Sequence, residues 1–89
     1  MSIHHPKAEH EAALIASMHR YGDAMRGQKG LREVHTLKDA RSSRLVGLAI
    51  FESREDFERL APLGRAAVQD GPFDVWEEVE IDGLALTAV

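Results

Sequence analysis

The chain has 89 residues, no cysteine, and 11 Lys and Arg against 15 Asp and Glu, for a formal net charge of −4. That length suits one hydrophobic core rather than two. The missing cysteines exclude disulfides, thiolate metal sites and cysteine nucleophiles, and the negative balance disfavours a polyanionic partner such as nucleic acid.

No stretch approaches the roughly 20 apolar residues that span a bilayer, and the first thirty residues lack a signal-peptide core. A cytoplasmic protein with no membrane partner is expected. A domain this small, without a disulfide or an evident metal site, gains from burying one face against a second copy, which favours a homodimer.

Met1 to His4 has room only for a short strand. Pro6 then falls where the first turn of a helix tolerates proline, because its missing N–H would be unpaired there anyway. Leu14, Met18, Tyr21 and Met25 recur at i, i+4, i+7 and i+11, with Glu11, Arg20, Asp23 and Arg26 elsewhere. This predicts an amphipathic helix, ended by Gly27 and Gly30.

Leu31 to Lys38 alternates as a strand, with Leu31, Glu33, His35 and Leu37 on one face and Arg32, Val34, Thr36 and Lys38 on the other. Asp39 to Ser43 reads as a turn. Leu45 to Phe51 is a nearly unbroken apolar run, which predicts a strand covered on both faces. An antiparallel sheet with helices on one side normally leaves its other face to water. A second copy of the sheet would supply the cover.

Ser53 and Asp56 have capping-box spacing and open a second helix, with Phe57, Leu60 and Ala61 on its apolar side. Pro62 is expected to kink or break it, leaving another short helical turn over Leu63 to Gln69. From Phe73 onward Val75, Glu77, Val79 and Ile81 alternate, and the chain resumes as Leu84 to Val89 after Asp82 and Gly83. This predicts one bulged strand, or a strand plus an arm. The order βαββαβ defines an α+β, ferredoxin-like domain over residues 1–89, an antiparallel sheet with its helices on one face.

Gly30-Leu31-Arg32-Glu33-Val34-His35, the turn, and Leu45 to Phe51 running into Glu52-Ser53-Arg54-Glu55-Asp56-Phe57 resemble the central part of the antibiotic biosynthesis monooxygenase superfamily. His4-His5-Pro6 resembles that group's first strand-to-helix junction. Phe51 stands where the group usually has Trp, and the sequence has no Asn, which the haem-degrading type uses. The resemblance implies a dimeric α+β barrel with a pocket between sheet and helices. It also implies a cofactor-independent monooxygenase acting on a small aromatic or quinone-like molecule. A non-catalytic ligand-binding or stress-related module on the same scaffold is the alternative, and a lyase or isomerase using the same enolate chemistry is a third reading.

Oxygenation without metal or flavin needs a general base and an apolar pocket to hold an electron-rich substrate. Histidine titrates in the useful range. Of the five, His35 is the first candidate, because a mid-strand position projects it from a rigid element; an exposed or interfacial strand histidine is the plainer reading. His4 and His5 point to opposite faces of a strand and read as structural or terminal, and His10 and His19 as helix-surface residues. Tyr21, Phe51 and Trp76 are the candidate substrate-binding walls, with packing as the alternative for Tyr21 and Trp76. Glu52 is a structural or basic carboxylate at the end of the apolar strand. Glu77, Glu78 and Glu80 alternate sides, so only Glu78 and Glu80 share a face; they read as a solvated edge, with a hard-metal site as the alternative.

Overall fold

The computed structural model describes residues 1–87. The chain opens with β1 (Ser2–His4), passes a 3₁₀ turn over Ala8–His10, and enters α1 (Glu11–Met25). Pro6 does not open the helix. It sits, buried, in an antiparallel bridge opposite Glu77. The bridge needs no Pro6 N–H, because its bonds run from Lys7 N–H to the Trp76 carbonyl (2.8 Å) and from Glu78 N–H to the His5 carbonyl (2.8 Å). Helix formation therefore waits until Ala8.

In α1, Leu14 and Met25 are fully buried and Met18 nearly so, with Ser17 and Gly22 buried beside them and Tyr21 half-buried. Gly27, at φ 84°, turns the chain out of the helix through a conformation that favours glycine.

β2 (Leu31–Lys38) and β3 (Leu45–Phe51) form an antiparallel hairpin, and β1 pairs with the other edge of β3. β4 is only Asp82–Gly83, antiparallel to β1, so the sheet order is β2-β3-β1-β4. Register sets Thr36, Gly47, Ser2 and Gly83 in one row across all four strands. That row faces α1, since a side chain built on Gly47 would meet the Met18 methyl at 3.5 Å. Leu45, in the neighbouring row opposite His4, is buried with Leu14 and Met18. Ile3, Leu37, Val46, Leu48 and Ile50 consequently project to the other side, where no helix lies. Within one copy the 45–51 strand is thus covered on the helix side alone.

α2 (Arg54–Val68) is capped as the spacing predicted: the Asp56 N–H donates to Ser53 Oγ at 3.1 Å. Pro62 does not end it. Proline removes one helical hydrogen bond, whereas burial of Leu60, Ala61 and Gly64, with Tyr21 of α1 laid against Gly64, holds the flanking turns in place.

The greatest departure lies in the tail. Phe73–Trp76 is a single helical turn, α3, not the start of a strand. Phe73 and Trp76 meet edge to face at 5.4 Å and pack against the Leu14, Met18 and Leu45 cluster. An i,i+3 pair of large aromatics anchored on the core outweighs the alternation of Val75, Glu77 and Val79. Ala88 and Val89, the end of the expected arm, lie outside the described residues.

Candidate functional site

Ser2 and His4 lie two residues apart on β1 and therefore share its helix-facing side. Ser2 Oγ is 2.9 Å from His4 Nε2, and His4 Nδ1 is 3.3 Å from Glu77 Oε2. The second Glu77 oxygen accepts from the His5 backbone N–H at 3.1 Å. The His4 and Glu77 side chains are only 8% and 2% exposed. Buried ionisable groups persist where they are paired and hydrogen-bonded, and every atom of this pair that can bond does so.

A Glu77 carboxylate accepting at Nδ1 fixes the tautomer in which His4 Nε2 accepts the Ser2 hydroxyl proton. Hydroxyl, imidazole and carboxylate thus form a connected chain, the general order of groups in an activated hydroxyl. The Pro6–Glu77 bridge explains the meeting: it brings the residue after α3 against β1 across 73 positions of sequence.

A shallow groove of about 200 Å³ runs between α1 and the free edge of β2. Met18, Gly22, Val34, His35 and Thr36 line it, with Arg26 at its rim. His35 borders this groove on an exposed stretch of strand, its side chain 48% exposed and Nε2 3.8 Å from Glu33 Oε1. Tyr21 lies elsewhere, between the helices on Gly64. Phe51 packs edge to face on Phe57 at 5.4 Å, and Trp76 on Phe73. The four candidate residues therefore occupy different surroundings, and only His35 borders the groove. His19 also lines it, whereas Glu52 pairs loosely with Arg32 at 3.8 Å on the surface.

Burial pushes the Tyr21 phenol above its ordinary range, with Arg65 pulling weakly the other way. Asp39, in the β2–β3 turn, is held down to about 2 by the Arg41 backbone N–H, the Ser42 hydroxyl and Arg44. Among the described residues no three His, Asp or Glu side chains cluster as metal ligands, and no helix is long and apolar enough to cross a membrane.

The relay at β1 was open to sequence reading only in half. The i,i+2 spacing of Ser2 and His4 is visible, but Glu77 sat in a segment read as an alternating strand.

No family model matches the sequence, and no curated protein does. Solved structures do resemble the fold. Rv0793 from Mycobacterium tuberculosis superposes with a TM-score of 0.81 at 17% identity, over 99% of this chain and 90% of that one. A protein from Nitrosomonas europaea named "Putative antibiotic biosynthesis monooxygenase" superposes at 0.71 and 16% identity, over 99% and 94%. The chain thus has the ferredoxin-like α+β fold of these structures, the fold expected from the order of its elements.

Proposed function

We propose that this protein is a homodimeric, cofactor-independent monooxygenase of a small aromatic or quinone-like molecule, with residues 1–89 acting as one domain. The observation that supports this most is the likeness, over 99% of the chain, to the Nitrosomonas europaea protein named as an antibiotic biosynthesis monooxygenase; the substrate class and the lack of a cofactor are our own reading. The homodimer part draws on the outer sheet face, where Ile3, Leu37, Val46, Leu48 and Ile50 present an apolar surface, Leu37 being 45% exposed. In this reading the groove beside β2 receives the aromatic ring, and His35, which borders the groove but stands on the outer sheet face with Leu37 and Leu48, takes the substrate proton around the open strand edge. Trp76, packed with Phe73 against the cluster that includes Met18, backs the groove, while Tyr21 and Phe51 support the helices away from it.

Oxygen uptake with a panel of hydroxyanthrones and hydroquinones tests the activity. Consumption that falls at least tenfold in His35→Ala is expected; uptake indistinguishable from a protein-free control across the panel refutes it.

The alternative, a non-catalytic binding module, draws on the shallowness of the groove, about 200 Å³ against the 300–1,000 Å³ typical of ligand pockets. It predicts saturable binding of the same compounds with no oxygen consumed.

A further inference from the structure

Met18 lines the groove, and its methyl also lies over Gly47, 3.5 Å from where a Gly47 side chain would begin. Ser2 Oγ reaches into the same space, 2.7 Å from that point. Thr36, which lines the groove, pairs with Gly47, and Gly47 pairs with Ser2. The floor beneath Met18 thus runs continuously from groove to hydroxyl, and the absence of a side chain at position 47 keeps it open. Methionine, unbranched with three rotatable bonds, is the apolar residue best able to swing aside.

We propose that Ser2, His4 and Glu77 form an acid–base relay at the inner end of this groove, reached when Met18 moves, and that its ligand is a small hydroxyarene or enol. This rests on the reading that the groove receives an aromatic molecule, and adds a second acid–base centre to it. The ligand's hydroxyl donates to Ser2 Oγ while the Ser2 proton passes to His4 Nε2. The products are a bound phenolate or enolate and an imidazolium whose Nδ1–H faces the Glu77 carboxylate. One proton moves at each oxygen and no electron is transferred. Serine and histidine are the groups in direct contact with the transferring proton; Glu77 is a positioning residue. Met18 and Val34 give an aromatic ring its apolar contact in a lining otherwise polar with His19, Arg26 and Thr36, and a hydroxyl at its inner edge is what Ser2 can meet.

The test uses 4-nitrophenol, whose ionised form absorbs at a different wavelength, titrated with the full-length protein at a pH below the phenol's own pKa and without oxygen. Bound phenol is expected to ionise at least tenfold more than free phenol, one pKa unit. Ser2→Ala should abolish this enhancement while retaining the wild-type circular dichroism and thermal midpoint. Glu77→Gln should leave some binding but lower the ionised fraction, and Gly47→Ala should block binding by filling the floor. His10→Ala, outside the groove and the relay, should change nothing in this assay. No binding, no enhanced ionisation, enhancement surviving in Ser2→Ala, or enhancement lost in His10→Ala would each overturn the proposal. The assay contains no turnover, so an inactive but ionising protein refutes the oxygenase and spares the relay, and an active protein that fails to ionise the probe does the reverse.

Discussion

A side chain built on Gly30 would run into the Asp56 carboxylate, and the backbone there stands at φ 101°. The left-handed conformation alone costs a non-glycine residue about 1–2 kcal/mol. Displacing Asp56 would also loosen its bonds to Ser53 and Arg59. Gly30→Ala is therefore expected to lower stability by at least ~2 kcal/mol, read from the urea midpoint.

Two ionisable residues have pH signatures of opposite sign. Tyr21 holds its proton more tightly folded than unfolded, so its contribution is complete below the ordinary phenol value of 10.0 and is lost as pH rises through the folded value. Tyr21→Phe should flatten the alkaline limb of the stability curve. Asp39 behaves oppositely: depressed from 3.8 to about 2, it stabilises above the unfolded value and loses that effect as pH falls through the interval. Asp39→Asn should make the acid limb shallower, measured by urea unfolding between these two values.

Among the elements, α2 contains a built-in weakness. Pro62 lies within a continuous helix and is itself exposed, so Pro62→Ala should restore a helical hydrogen bond without disturbing the core. Proline costs about 3 kcal/mol relative to alanine in a helix interior, and about 1 kcal/mol of that returns through a stiffer unfolded chain. The net gain expected is on the order of 2 kcal/mol, visible as a higher thermal midpoint. This helix shows where sequence reading stops. Ser53, Asp56, Leu60 and Ala61 mark its start and face from spacing alone, as Leu14, Met18 and Met25 do for α1, since capping and periodicity are local. Continuity through Pro62 depends on Tyr21 and Gly64 meeting, 43 positions apart by numbering, and no local signal reports that. The same limit hid the relay. Ser2 and His4 share a face by simple alternation, but Glu77 reaches them through a turn created by Phe73 and Trp76 packing on the core. His35, by contrast, was placed on a strand correctly while nothing local indicated how open that strand's edge would be.

At the scale of the whole molecule, the outer sheet face is the consequential surface. Leu48 sits near its centre, between His35 on β2 and the β1 side, and a carboxylate there would have to be buried in any sheet-to-sheet dimer. Leu48→Glu should leave the fold intact, since the residue does not face the helices, and convert a dimer to a monomer in sedimentation equilibrium. A wild-type protein that sediments as a monomer at 100 µM, roughly the concentration at which even micromolar association is complete, would remove the homodimer from the proposed function.

The position of β1 in the sheet carries a further consequence, for the order of events in folding. Ser2 pairs with Gly47 on one side and Gly83 on the other. The strand nearest the start of the chain therefore cannot be seated until residues far downstream exist, whereas β2 and β3 need close only the short turn from Asp39 to Arg44. Closing long loops costs entropy before any contact repays it. Substitutions in the β2–β3 hairpin are expected to slow folding, and substitutions at Ile3 chiefly to accelerate unfolding, in stopped-flow denaturant chevrons. The Ser2–His4–Glu77 chain would then be assembled last, in the step that closes the molecule.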